Sequence, residues 1–192
     1  ERLFVRLLKV WTWVERLERV PPDANDPWRE GAIVAEWKTN AAPARCRLGR
    51  PTISILCAEF TESWGPFSPE RTGIGGSEEM VVQVARFLAS EGAAVTVYAP
   101  VNDLVVDRNV VWRPFMTFDP DARCDVLISH RSAHLLRRPT LGAAAHYIWL
   151  HDAVVGRMAE DYEPARRGRA KGFLTLSTWQ EEEYALRYGI PR

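Results

Sequence analysis

Pro51-Thr52-Ile53-Ser54-Ile55-Leu56-Cys57-Ala58, then Gly73-Ile74-Gly75-Gly76-Ser77-Glu78-Glu79, then Met80-Val81-Val82-Gln83-Val84-Ala85-Arg86-Phe87-Leu88, is the part of the chain that decides its fold. The first run reads as a buried strand and the last as an amphipathic helix, with a long loop and a glycine turn between them. Strand, loop, glycine turn and helix in that order put the turn at the carboxyl edge of a sheet. Open α/β folds bind ligands at that edge, and backbone amides at a helix start there can hold a phosphate.

Gly-Gly ahead of a helix also serves simply to turn the chain. The dinucleotide fingerprint G-x-G-x-x-G fits badly, because with Gly73 and Gly75 as its first two glycines the third place falls on Glu78. Glu78 and Glu79 suit the positive end of the helix dipole but oppose a bare pyrophosphate lying on it, so a nicotinamide or flavin cofactor is disfavoured.

Outward from this unit, strands and helices alternate. Ala94 to Ala99, Val110 to Phe115, Asp125 to Ser129, His146 to Leu150 and Phe173 to Ser177 read as strands, Ser132 to Arg138 as a short helix and Thr178 to Tyr188 as a longer one. The strands are short and continuously apolar, as expected of a parallel sheet covered on both faces. The expected fold is α/β, a doubly wound, mainly parallel Rossmann-like sheet over residues 51–192. Parallel pairing is expected throughout, the Ala99 to Val110 link being the one least clearly long enough for a crossover.

Residues 1–50 form an appendage. Leu3, Leu7, Val10, Val14 and Leu17 follow a helical spacing over residues 1–20, with Phe4, Leu8, Trp11 and Trp13 widening the apolar face. Such a helix can dock on the domain, meet another subunit or lie peripherally on the inner face of a membrane. Docking is favoured because both signs of charge are mixed along it. Pro21-Pro22-Asp23-Ala24-Asn25-Asp26-Pro27 ends the helix, and a loop with a short strand at Ala32 to Trp37 leads to Arg50.

Formal charge is zero over 192 residues, so no basic excess points to nucleic acid. Cys46, Cys57 and Cys124 are odd in number and lack a C-x-x-C pair, which indicates neither a disulfide framework nor a zinc ribbon and makes a reducing cytoplasm the expected setting. No apolar run reaches membrane-spanning length. The chain opens on Glu1 and closes on Gly189-Ile190-Pro191-Arg192, which reads as a fragment at both ends.

All four histidines fall between positions 130 and 151. His130 and His134 have the i, i+4 spacing of two zinc ligands on a helix, but Arg131 stands where a metalloprotease carries its Glu base and no third ligand is near, so no metal is expected. His146 reads as a satisfied polar residue at a strand edge. His151-Asp152 differs, because it follows the apolar run Tyr147-Ile148-Trp149-Leu150 and so ends a central strand. Neighbouring strand residues point to opposite faces, which lets one of the two face a cleft while the other supports the loop. In a doubly wound sheet the glycine turn and His151 open onto the same edge.

Trp64-Gly65-Pro66, Gly73-Ile74-Gly75-Gly76-Ser77-Glu78-Glu79 and Leu88-Ala89-Ser90-Glu91-Gly92-Ala93-Ala94-Val95-Thr96-Val97-Tyr98 together resemble the N-terminal half of GT-B glycosyltransferases of the family 4 type. Asp125-Val126-Leu127-Ile128-Ser129 and Tyr147-Ile148-Trp149-Leu150-His151-Asp152 look like that family's fourth strand and its strand ending in His or His-Asp. Phe173-Leu174-Thr175-Leu176-Ser177-Thr178-Trp179-Gln180, with Tyr188-Gly189-Ile190-Pro191, is similar to the segment closing its first domain. The likeness spans about residues 51–192.

The resemblance implies a retaining transfer of sugar from a nucleotide-sugar donor, as substrate, to an acceptor of unknown identity held mainly by this domain, with no cofactor or metal. It assigns Gly75, Gly76 and Ser77 to the donor's distal phosphate, His151 to the transferred sugar and Asp152 a weaker role beside it. It also implies a C-terminal donor domain, absent from this chain, that carries a basic phosphate clamp, without which these residues bind donor weakly and are inactive. The alternative is a non-catalytic Rossmann-like module that uses residues 1–20 to join a partner.

Overall fold

The computed structural model describes residues 49–60, 62–152 and 161–190. The appendage helix, the short strand at Ala32 to Trp37 and most of the loop after Asp152 lie outside them.

Seven strands form one sheet. They are β1 (Thr52–Leu56), β2 (Ala94–Ala99), β3 (Val105–Asp107), β4 (Val110–Pro114), β5 (Cys124–His130), β6 (Ala143–Trp149) and β7 (Gly172–Leu174). Between and after them come helices α1 (Ser68–Arg71), α2 (Gly76–Ser90), α3 (Pro164–Arg167) and α4 (Thr178–Tyr188), with 3-10 turns at Phe115–Thr117 and His134–Arg137. The spatial order is β3-β4-β2-β1-β5-β6-β7, and every pair is parallel except β3 with β4. With β3 set aside, the six parallel strands in chain order lie 3-2-1-4-5-6, the order of Rossmann sheets, with the switch point between β1 and β5.

Two expectations are corrected. Pairing is not parallel throughout, because a hairpin turned by Arg108 (φ 47°) and Asn109 (φ 66°) folds β3 back on β4. Two successive left-handed residues give the turn that matches strand twist, so the Ala99 to Val110 link carries an edge strand. The helix at Ser132 to Arg138 is only one 3-10 turn, so His130, the last residue of β5, and His134 share no helix face.

The first half of the sheet is covered by α2. Val81, Val84, Ala85 and Leu88 repeat at helical spacing, are buried, and pack with Ile53, Ile55, Val95, Val97, Val126 and Ile128. Each fully buried aliphatic side chain here contributes roughly 1.5–3 kcal/mol. Left-handed Gly92 (φ 94°) ends α2, its amide bonding Ala89 and that of Ala93 bonding Leu88. The opposite face buries Leu56, Leu127 and Leu135, and nearer β7 a group of Ile148, Leu150, Tyr162, Tyr184 and Ile190. No described helix is long and apolar enough to cross a membrane.

Candidate functional site

Strand alternation sorts the residues that leave the sheet at the switch point. Ile53 and Ile55 of β1 with Cys57 just after it, Val126 and Ile128 of β5, and Trp149 of β6 all pack toward α2, and His130 and His151 sit against Trp149. Gly73 takes a left-handed conformation (φ 71°), and Gly75 caps α2 in extended backbone with its carbonyl accepting from the amides of Glu78 (3.1 Å) and Glu79 (3.0 Å). Gly76 and Ser77 therefore precede the helix's own bonding, as the first residues of any helix do. Space around the two adjacent glycines differs. A side chain at Gly75 would run into the Glu78 carboxylate, whereas one at Gly76 would meet nothing within 4 Å.

Arg131 joins the site together. Immediately after β5 it adopts a left-handed backbone (φ 64°), uncommon for a residue with a side chain, and its amide donates to the Trp149 carbonyl at 2.8 Å. Its guanidinium forks onto both Asp152 oxygens at 2.7 and 2.6 Å and reaches Glu78 Oε1 at 2.8 Å. Ser77 Oγ donates to the other Glu78 oxygen at 2.7 Å. One cation thus links the start of α2 to the residue after His151. Hydrogen bonding to Arg131, and then its charge, hold the Asp152 carboxyl below its ordinary range despite partial burial.

Asp152 is also held through its backbone. Its carbonyl accepts from Gln180 Nε2 at 2.9 Å and from the Tyr184 hydroxyl at 3.4 Å, both on α4. Gln180 is buried, and its Oε1 accepts from the Leu176 amide at 2.7 Å while Ser177 Oγ caps α4 by accepting from the Gln180 amide at 3.1 Å. Gln180 was not legible as a site residue. The only signal is the capping-box spacing of Ser177 and Gln180, which announces a helix start and not a second use for the amide side chain.

The imidazoles of His130 and His151 lie 4.5 Å apart between ring centroids, and the Trp149 indole is 4.6 Å from His151 and 5.9 Å from His130. His130 is fully buried. Burial, and then the positive Arg131 beside it, push it down to about 3, against a smaller opposite effect of weak hydrogen bonding to the Ser77 backbone, and neither of its nitrogens closes a hydrogen bond of good geometry. Burial, then His130 and Arg131, likewise bring the partly exposed His151 to about 3, and its Nε2 has no partner. Both are neutral imidazoles at physiological pH. Cys57, the residue after β1, is fully buried, and burial, then negative Glu78, raise its thiol well above the ordinary range, so it is no nucleophile.

The structure thus brings Gly75, Gly76, Ser77, His151 and Asp152 to one sheet edge, and adds Arg131, Glu78, His130 and Gln180. It does not bring His134 or His146 there. His146 bonds Ser129 Oγ at 2.8 Å on the opposite face, and His134 pairs with Ser132 Oγ. No group of three or more potential metal ligands occurs among the described residues. No family model, no curated protein and no solved structure matches the chain.

Proposed function

We propose that this chain is the acceptor-side domain of a retaining, nucleotide-sugar-dependent glycosyltransferase of the GT-B family 4 type. The observation that supports it most is the Arg131 link between Glu78 and Asp152, through which the glycine turn and His151 stand together at the switch point of a 3-2-1-4-5-6 sheet. In this role the amides of Gly76 and Ser77 face the departing diphosphate, which needs stabilisation as negative charge develops on it. His151, neutral and partly exposed, offers hydrogen bonds to the transferred sugar. Asp152, with both oxygens on Arg131, orients the strand end and leaves proton transfer to other groups.

The donor's phosphates are clamped by cations of a second domain in this scheme, which divides the two tasks between domains. Calorimetric titration of the 192-residue chain with nucleotide sugars should then give binding no tighter than millimolar. Joined to a donor domain of this architecture, the chain should release nucleoside diphosphate from a sugar donor. Micromolar binding by the chain alone overturns the division of labour, and a joined protein that releases no diphosphate from any donor overturns the enzyme.

A further inference from the structure

We infer that His130 is a second ligand-binding imidazole of this site, and that together with His151 it takes neighbouring hydroxyls of an uncharged sugar ring rather than a phosphate. The inference rests on the glycosyl-transfer proposal for the kind of ligand, and on the geometry around β5 and β6 for the residue.

His130 is 0% exposed, and neither of its buried ring nitrogens makes a hydrogen bond of good geometry, although the Ser77 backbone is near enough to act on it as a weak acceptor. A neutral imidazole carries one donor and one acceptor, and leaving both unmade in the interior is costly enough that most buried polar groups avoid it. Unpaired indole N–H groups also occur on Trp64 and Trp112, but each is a single donor in an edge-to-face aromatic pair within the core. His130 differs in having two unmet groups and in standing at the switch point beside Ser77. Its ring is next to that of His151, which is partly exposed and has its own unpaired Nε2. A ligand reaches His130 only where the His151 ring packed against it moves aside, and it then meets two imidazoles side by side, each able to donate once and accept once. Vicinal hydroxyls of a sugar present that same alternation.

Charge decides against an anion at this spot. Among the described residues, Arg131 is the one cation bonded into the cluster, and it faces both Glu78 and Asp152, a balance of +1 and −2. Burial keeps both imidazoles neutral, so neither adds positive charge near pH 7. A phosphate would meet net negative charge here, whereas a polyol loses nothing by it.

Four histidines in the chain make imidazole NMR with ¹⁵N-labelled protein a direct test. The intact chain is titrated in turn with D-glucose, D-mannose, D-galactose and inorganic phosphate. At least one sugar should move the ring resonances of His130 and His151 while leaving His134 and His146 in place, and phosphate should move none. A phosphate shift at His130, or no sugar shift there, overturns the assignment, the latter also being the result if an internal water fills both of its bonds. His130→Phe should abolish the sugar shift of His151 and raise the melting temperature of the ligand-free protein by about 2–8 °C, since two unmet polar groups leave the core. His130→Gln, which keeps one donor and one acceptor, should retain part of the shift. A His130→Phe protein that keeps the full sugar response overturns the assignment whatever its stability. Sugar shifts without diphosphate release by the joined protein would remove the transferase and leave the His130 site standing, and diphosphate release that His130→Phe leaves unchanged would do the reverse.

Discussion

Arg86 and Arg131 make closely similar bonds in two different settings. Arg86, on α2, donates to Asp107 at 2.7 Å, to Glu70 at 3.1 Å and to the Pro66 carbonyl at 2.9 Å, tying α1, the loop before it and β3 to the main helix. It is buried, and so is Asp107. Arg131 ties the start of α2 to the residue after His151, but its own backbone is left-handed, Asp152 is half exposed, and the imidazoles beside it have unpaired nitrogens. A three-way arginine clamp by itself is therefore no mark of a functional site, and the Arg131 link counts only for what it brings together at the switch point. What distinguishes the second region is unmet bonding and local backbone strain placed together at the switch-point edge of the sheet, where surrounding structure sustains what would elsewhere be lost.

The comparison breaks first on stability. Arg86→Ala leaves Asp107 buried without its partner, and urea denaturation should show a loss of about 3–5 kcal/mol. Arg86→Met with Asp107→Val should recover most of it. If Arg86→Ala costs less than about 1 kcal/mol, the two clamps are not different in kind. His151→Ala should do the opposite, lowering turnover of a joined enzyme by roughly a hundredfold, equivalent to about 3 kcal/mol of barrier, while stability moves by no more than about 1 kcal/mol. A variant that unfolds readily yet keeps activity in its folded fraction would make His151 structural. Arg131→Met lies between the two, costing about 1–3 kcal/mol because Glu78 is left largely buried and unpaired, with turnover falling as Asp152 loses its anchor.

Acid sharpens the comparison further. His130 goes from an ordinary 6.5 to about 3 on folding, so as pH falls the unfolded chain takes up the proton first. Its contribution to stability is complete above about pH 6.5 and is lost between there and about pH 3, with about 2 kcal/mol gone by pH 5. Asp152, lowered by Arg131, adds a loss of the same sign only at more acid pH, below the ordinary carboxyl range. Denaturation midpoints of the His130→Phe protein should be about 2 kcal/mol flatter between pH 6.5 and 5. An unchanged slope would mean that His130 takes up its proton in the fold as readily as in the unfolded chain, and the neutral-imidazole account of the site would go with it.

The framework was legible because its signals are local. Short, continuously apolar runs gave β1, β2, β4, β5 and β6, and α4 came out at Thr178–Tyr188 because Ser177 caps it and left-handed Gly189 ends it. The β3 hairpin was hidden since its turn is Arg108-Asn109, whereas the usual sequence signal for that turn ends in glycine. Gly75, Gly76, Ser77, His151 and Asp152 were singled out by the family resemblance together with their position at strand and helix ends. Arg131 and Gln180 were missed for one reason, which is that their partners are 53, 21 and 28 residues away in sequence. Such pairings exist only once the sheet order is known. His130 was seen merely as half of a spacing, because burial without a partner is a property of the folded molecule.

The smallest expected effect separates two neighbouring glycines. Gly76 has an ordinary backbone at the first position of α2 and open space where a methyl group would go, so Gly76→Ala should leave stability unchanged or raise it by up to about 1 kcal/mol, through a less flexible unfolded chain. At Gly75 the same methyl group would push on the Glu78 carboxylate, which has to swing away and loosen its bonds to Arg131 and Ser77. Gly75→Ala should therefore destabilise slightly and act on the site from within. If the space above Gly76 is where the leaving diphosphate sits, Gly76→Ala in a joined enzyme should raise KM for the donor severalfold at unchanged or improved stability, a combination that no folding defect produces. Equal donor KM values for Gly76→Ala and the parent would mean that no ligand approaches that backbone, leaving the glycine pair as a device for turning the chain into α2.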